Sequence, residues 1–314
     1  MKKISAIIAV YKDVQSIPIM HKRLVKVFKK IKVDYEIIFV NDGSPDNTEN
    51  VLHNLVQKDH HVIAINHSRN FSSQMAFTSG MDTSTGDAVV FLDGDLQDPP
   101  ELIESFYLKW IEGYDVVYGV RVKRDAPFVM RISYKLFYRI FSKLSYISIP
   151  RDAGDFSLID RRVVNVLKTF PERDRFLRGL RAWVGFKQVG VPYVRPDRIF
   201  GKSTNNLIKN FQWATKGIFS FTYLPLQLMT LLSLIVFIIS VIGIIIQIIL
   251  RILIPNPPSG ITTVLVVILF LGSVQMLGIS ILGEYIGKIF EEVKQRPKYV
   301  IKNIDRNSNR RKTR

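Results

Sequence analysis

The 314-residue sequence predicts an α/β domain built on a mostly parallel, doubly wound sheet, followed by two membrane-spanning helices. Three observations predict it. Short apolar runs rich in β-formers alternate with helical patterns from residue 4 to residue 120, the arrangement that yields parallel strands. Carboxylates and glycines gather where those runs stop, and ligands bind at the carboxyl ends of such strands. Residues 226–250 and 261–282 contain no charged side chain, and about 20 apolar residues span a bilayer.

Residues 5–10 read as the first strand. The preceding Met1-Lys2-Lys3 resembles the start of a signal peptide, but Tyr11-Lys12-Asp13 stands where a small-residue cleavage site belongs. Ile17, Met20, Leu24, Val25 and Phe28 fall near helical spacing and predict a helix over 16–30. A second strand, 35–40, ends in Asn41-Asp42-Gly43-Ser44, and Ser44 or Asp46 caps the next helix, through about Val56. Residues 62–65 form a third strand, and a helix through Met81 follows His67-Ser68-Arg69-Asn70-Phe71. The fourth strand, 88–92, runs into Asp93-Gly94-Asp95-Leu96-Gln97-Asp98-Pro99-Pro100, with a helix over 100–110 and a fifth strand over 116–120 beyond it.

Asp-Gly alone is an ordinary turn signal. Two hard oxygen donors at the end of a buried strand are a different matter: Asp93 and Asp95 suit Mg²⁺ or Mn²⁺, which in turn suits a diphosphate. Gly94 lets the backbone come close to a ligand. Asp13, Asp42 and the Asp93–Asp95 pair follow different strands and so converge on one sheet edge. No Gly-x-Gly-x-x-Gly follows the first strand and no Gly-x-x-x-x-Gly-Lys-Ser/Thr occurs, which argues against dinucleotide and P-loop folds.

Residues 130–144 predict an amphipathic helix with a basic stripe, Arg131, Lys135, Arg139 and Lys143, suited to a headgroup layer. Residues 154–161 are a short strand leading into a helix, with Asp155 directed back at the sheet edge. A helix over 176–185 and an edge strand over 187–194 precede a basic loop, Arg195, Arg198 and Lys202 around Gly201, able to close over a diphosphate. Residues 205–222 predict a juxtamembrane helix with Phe211, Trp213, Phe219 and Phe221 at the interface.

The chain divides into a catalytic domain (1–200), a basic loop with the juxtamembrane helix (201–225), a transmembrane hairpin (226–283) and a basic tail (284–314). The net charge of +17, from 44 basic and 27 acidic side chains, calls for an anionic partner. The membrane tether makes that partner an anionic lipid bilayer and not nucleic acid. The absence of cysteine excludes disulfides and thiolate metal sites. Arg251 is the one basic residue between the spans, whereas ten follow the second, from Lys288 to Arg314. The positive-inside rule therefore places the catalytic domain and both termini in the cytoplasm. Gly272, Gly278, Gly283 and Gly287 offer small faces for packing between subunits of a homo-oligomer such as a tetramer.

Taken jointly, Ala9-Val10-Tyr11-Lys12-Asp13, Asn41-Asp42-Gly43-Ser44, Ser68-Arg69-Asn70-Phe71, Asp93-Gly94-Asp95-Leu96-Gln97-Asp98-Pro99, Gly154-Asp155-Phe156 and Gly283-Glu284-Tyr285-Ile286-Gly287 resemble the polyprenyl-phosphate glycosyltransferases of the GT-A fold, in the bactoprenol glucosyltransferase branch. The resemblance spans nearly the whole chain. It implies an inverting transfer of a sugar, glucose first and GlcNAc or galactose as alternatives, from a UDP-sugar to polyprenyl phosphate at the bacterial cytoplasmic membrane. It also implies roles. Ala9, Tyr11, Asp13 and Asp42 hold the nucleoside end. Asp95 and Asp93 bind the metal and diphosphate, with Gly94 and Gln97 beside the donor sugar. Asp155 is the base, and Arg198 and Lys202 clamp phosphates. Charge and order along the chain add Arg121, Arg124 and Arg131 as acceptor-phosphate ligands. Two rival readings are a processive polysaccharide synthase, which two spans argue against, and a membrane sugar-nucleotide sensor, which the intact aspartates argue against.

Overall fold

The computed structural model describes residues 1–122, 150, 153–200, 222–253 and 260–307. The expected helix over 130–144, Arg124, Arg131, Lys202 and residues 205–221 lie outside the described residues. In chain order the elements are β1 (Lys3–Val10), α1 (Ile17–Ile31), β2 (Asp34–Asn41), α2 (Thr48–Lys58), β3 (Val62–His67), α3 (Ser73–Thr83), β4 (Ala88–Asp93), a 3-10 turn (Pro100–Leu102), α4 (Ile103–Ile111) and β5 (Val116–Arg121). They continue as β6 (Ala153–Asp160), α5 (Arg161–Thr169), α6 (Leu177–Trp183), β7 (Gln188–Tyr193), α7 (Leu224–Leu253), α8 (Ile261–Val293) and β8 (Ile301–Arg306). Two compact units result. The first takes the described residues up to Phe200 and again from Arg296, and the second takes those from Thr222 to Gln295.

The first unit is one eight-stranded sheet in the order β7-β5-β6-β4-β1-β2-β3-β8. Its centre, β4-β1-β2-β3, is parallel as the alternation of strands and helices dictates. The flanks are not: β6 runs antiparallel to both β4 and β5, and β8 antiparallel to β3. The sheet is therefore more mixed than expected. Alternate β1 residues Ile4, Ala6, Ile8 and Val10 join Met20, Leu24 and Phe28 of α1, Leu52 of α2 and Phe106 of α4 in one core. Each of the larger of these buried side chains contributes about 1.5–3 kcal/mol. Ile7 points to the other face, where α3 comes so close that a Cβ on Gly80 would stand 2.3 Å from Ile7 Cγ2. Packing on both faces explains why the central strands read as continuous apolar runs.

One buried charge interrupts that core. Glu36 on β2 lies opposite Ser5 on β1. Its carboxylate accepts from Ser5 Oγ (2.7 Å) and Thr85 N (2.6 Å) and pairs with Lys3 Nζ (3.1 Å). Of the two expected caps for α2, Asp46 accepts from Thr48 N at 3.2 Å, while Ser44 Oγ accepts from Lys12 N in the loop after β1.

Among the described residues, 284–307 do not form one basic tail. α8 continues to Val293, and β8 returns to the first unit and pairs with β3. Lys302 Nζ meets Glu49 at 2.8 Å, and Asn66 donates to Asn303 at 2.6 Å. An uncovered β3 would present a row of unpaired backbone groups, which β8 satisfies.

In the second unit, α7 and α8 include two stretches long and apolar enough to cross a membrane, Leu224–Leu250 and Val264–Val293, with mean hydropathies of 3.0 and 2.5. Thr230 and Ser273 return their hydroxyls to Leu226 O and Leu269 O, so these polar side chains are satisfied within their own helices. Tyr285 OH donates to Thr222 O, and a Cβ on Gly278 would lie 2.9 Å from Met229 Cε. Side chains such as Phe237, Ile239, Leu269 and Ile279 are exposed, an apolar surface far larger than water-soluble chains carry.

Candidate active site

The carboxylates expected at the sheet edge come from the ends of β1 and β4. The β4 chain can turn there because Gly94 lacks a side chain: Gly94 N donates to Ala9 O at 2.9 Å, and a Cβ would meet that oxygen at 2.8 Å. The freedom assigned to Gly94 is thus used against β1, drawing the two strand ends together.

Asp13, Asp93, Asp95 and Asp98 share this pocket, and Arg195 and Arg198 reach it from beyond β7. Arg198 Nη2 stands 3.4 Å from Asp95 and 3.5 Å from Asp13. Arg195 Nη2 stands 3.8 Å from Asp95 and 3.9 Å from Asp93, and its Nε is 4.0 Å from Asp98. Gln97 donates to Pro196 O at 3.1 Å, tying the Asp-Gly-Asp turn to the basic segment. Asp98 also accepts from Tyr193 OH at 2.8 Å, and Arg121 Nε donates to the same hydroxyl at 3.4 Å.

These long ion pairs leave the acids crowded. Asp93 is pushed up to about 8 by burial, then by the neighbouring charges of Asp98, Asp95 and Asp155, with Arg195 acting against them. Burial likewise raises Asp98 and Asp13, opposed by Arg195 and Arg198 respectively. A pocket that crowds four carboxyl groups so closely that burial and mutual repulsion raise Asp13, Asp93 and Asp98, with an oxygen-only donor set, fits a hard divalent cation. Asp93 is crowded by protein on most sides yet open to solvent on one, with 38% of its side chain exposed.

Asp42 stands apart from that crowd. Its Oδ1 accepts from His67 Nδ1 (2.9 Å) and Phe71 N (2.8 Å), and it is buried. His67 in turn contacts Ser79 Oγ at 2.8 Å and stacks on Tyr299, ring centroids 5.4 Å apart. Tyr11 and Lys12 lie on the loop between β1 and α1, Lys12 with φ 60° and its ammonium 5.4 Å from the Tyr11 ring.

Asp155 reaches the site because β6 is antiparallel to β4. Phe91 pairs with Ser157, and two further residues of that register bring Asp155 beside Asp93. Asp155 Oδ2 accepts from Gln74 Nε2 (3.0 Å) and Arg178 Nη2 (3.3 Å), whereas Oδ1 is buried without a hydrogen-bond partner. Gln74 is fully buried and also accepts from Leu177 N at 2.8 Å. Arg181 is buried and donates to Gly154 O at 3.3 Å.

Sequence reasoning missed Gln74, Arg178, Arg181 and Tyr193. The i, i+3 spacing of Arg178 and Arg181 was the one available signal for a shared helix face. Arg121, expected at the acceptor phosphate, donates from Nε to Tyr193 OH at 3.4 Å, and its Nη2 lies so close to Gly154 that a Cβ there would stand 2.9 Å away. A further group, Asp59, His60 and His61, lies at the opposite end of β3, where Asp59 already accepts from His21 and His61.

The family model described as glycosyl transferase family 2 matches residues 5–167. The bactoprenol glucosyl transferase of Shigella phage SfV is 41% identical over 303 residues, 96% of this chain and 98% of that protein. The prophage bactoprenol glucosyl transferase homolog of Escherichia coli is 40% identical over 304 residues, covering 96% and 99%. An uncharacterized glycosyltransferase of Synechocystis is 40% identical over 303 residues, covering 96% and 95%.

Proposed function

The chain belongs to glycosyl transferase family 2, with a GT-A-like mixed sheet, and from that premise we propose that it transfers glucose from UDP-glucose to polyprenyl phosphate at the cytoplasmic face of a bacterial membrane. The observation that carries this reading is the arrangement of charged groups at the sheet edge. Asp13, Asp93, Asp95 and Asp98 crowd one side, while Asp155 with Arg178 and Arg181 forms the other. The names of the full-length relatives supply the substrate class.

Asp95 and Asp93 would hold Mg²⁺ or Mn²⁺, with Asp95, the more enclosed at 11% exposure, as the firmer ligand. When bound, the ion supplies charge stabilisation to the leaving diphosphate. Arg195 and Arg198, which pair with these carboxylates, turn to the diphosphate when the donor arrives, and Lys202, the next basic residue in sequence, is a further phosphate ligand in this reading. Asp42, Ala9, Tyr11 and Asp13 bind the nucleoside end, and Gly94 and Gln97 border the sugar. The acceptor phosphate, whose second pKa is near ~6, is already mostly ionised at neutral pH. Asp155 therefore orients the acceptor more than it removes a proton, and its hydrogen bonds from Gln74 and Arg178 fix its direction. Arg121, Arg124 and Arg131 remain acceptor-side candidates.

Chain topology supports the placement. β8 follows α8 yet pairs with β3 of the unit that precedes α7. Chain segments before and after the helix pair belong to the first unit, which supports a hairpin that returns to its starting side. The positive-inside rule makes that side cytoplasmic. A homo-oligomer through the glycines of α8 completes the reading.

The test is incubation of the full chain in lipid nanodiscs with Mn²⁺, radiolabelled UDP-glucose and undecaprenyl phosphate. Label entering the organic phase, abolished by a chelator and by Asp95→Asn, is the expected result. A panel of UDP-GlcNAc and UDP-galactose reads the sugar. Donor binding without transfer would replace the enzyme with a sensor, and long polymer would indicate a synthase.

A further inference from the structure

The arginines of α6 are absent from the donor chemistry described above. Arg178 and Arg181 lie on one face of that helix, three residues apart. Arg181 is 3% exposed, spans the Tyr118 ring at 5.1 Å and braces Gly154 O. Arg178 keeps 29% of its side chain exposed, lies over the Phe176 ring at 5.1 Å and touches Asp155 Oδ2. Nε of each arginine is buried without a hydrogen-bond partner, and so is Asp155 Oδ1. A brace for Gly154 accounts for Arg181 alone. It does not account for a second guanidinium, nor for unmatched donors beside a single carboxylate. Arg181 is drawn down to about 10 by burial, with Asp155 acting in the opposite direction and Arg178 reinforcing the fall; it remains charged at neutral pH.

We infer that Arg178, backed by the buried charge of Arg181, is the subsite for a phosphate monoester, the headgroup of the acceptor. The assignment rests on the transferase reading. Two guanidinium groups against one carboxylate leave a net positive patch, and a planar guanidinium offers a forked donor set to phosphate oxygens. The patch abuts the donor pocket, since the Asp155 charge is felt at Asp93. A phosphate oxygen held there forms the new bond to the anomeric carbon. The bond from that carbon to the diphosphate oxygen breaks, its electron pair leaves with the nucleoside diphosphate, and no proton has to move. Arg178 contacts the phosphate; Arg181 is a positioning residue.

The experiment uses the full chain in detergent, titrated calorimetrically with farnesyl phosphate, inorganic phosphate and farnesol, and separately with UDP plus Mn²⁺. Farnesyl phosphate should bind, inorganic phosphate should compete only at higher concentration, and farnesol should not bind. Arg178→Gln should weaken farnesyl phosphate at least tenfold and leave UDP within twofold, with Arg178→Lys between the two. In turnover the acceptor KM should rise while the donor KM holds. Unchanged farnesyl phosphate affinity in both variants, or an equal loss of UDP affinity, overturns the assignment. Inorganic phosphate binding as tightly as farnesyl phosphate, and lost equally in Arg178→Gln, overturns it in favour of a free-phosphate site. If the parent chain transfers no sugar yet binds farnesyl phosphate through Arg178, the transferase reading fails and the subsite stands.

Discussion

Replacing Gln74 by leucine removes a side chain that joins α3, β6 and the start of α6. Its amide nitrogen donates to Asp155 Oδ2 at 3.0 Å, and its oxygen accepts from Leu177 N at 2.8 Å. The residue is fully buried, so water cannot take over either role. Losing a hydrogen bond to a charged acceptor costs about 1.5–3 kcal/mol, and leaving the Leu177 N–H unsatisfied costs about 1–3 kcal/mol. Leucine has a similar size and opens little cavity, so Gln74→Leu should destabilise the first unit by about 3–5 kcal/mol. Asp155 would then be held by Arg178 alone. A small misplacement of a positioning group costs on the order of 100-fold in rate, so kcat should fall by about that factor while the donor KM stays within a few-fold. Thermal unfolding in detergent, followed by tryptophan fluorescence, reads the first effect, and steady-state assays read the second. Gln74→Glu restores an acceptor for Leu177 N but opposes Asp155 with a second carboxylate, so it should recover stability only in part and activity not at all. A Gln74→Leu protein with kcat within twofold of the parent and less than about 1 kcal/mol of lost stability would refute this account of how Asp155 is positioned.

Burial alone would raise Glu36, but hydrogen bonds from Thr85 N and Ser5 Oγ, with the Lys3 ammonium, bring it down to about 2. A depressed carboxylate stabilises the fold fully above its unfolded value of 4.5 and loses that contribution as pH falls from 4.5 towards 2. The worth is up to about 3 kcal/mol, so the stability gap between parent and Glu36→Gln should shrink from pH 6 to pH 3; a pH-independent gap would count against it. Tyr299→Ala removes the stack on His67, worth about 0.5–1.5 kcal/mol, and the hydrogen bond to Asp82. Because His67 holds Asp42, UDP affinity should drop about 2- to 10-fold by calorimetry with kcat retained; unchanged affinity would separate the C-terminal segment from the nucleoside site. Asp95→Asn should weaken Mn²⁺ binding, read by electron paramagnetic resonance, by more than the roughly 10–100-fold typical of outer-shell partners. Asp98→Asn, whose carboxylate is held by Tyr193, should stay within that range; the reverse order would move the ligand assignment to Asp98.

The sequence by itself determined the order of strands and helices from β1 to β5, the carboxylates at the ends of β1 and β4, and the two apolar helices. Each of these is a local property. A strand or helix reveals its period within a few residues, an acid at a strand end is adjacent to that strand in the chain, and a membrane span is a matter of composition. Only the tertiary structure decided the rest. β8 is six residues long and carries Lys302, Asp305 and Arg306, so nothing in its composition separates it from a solvated tail; its identity comes from the unpaired edge of β3. The antiparallel course of β6, which brings Asp155 to Asp93, is equally silent in the sequence, since strand direction leaves the side-chain period unchanged. The contacts that build the site join residues 81 apart for Gln74 and Asp155, 103 for Gln74 and Leu177, and 185 for Asp13 and Arg198. No periodicity spans such separations. Folding brings these groups together because β1 and β4 end, β6 begins and the chain leaves β7 at the same edge of the sheet.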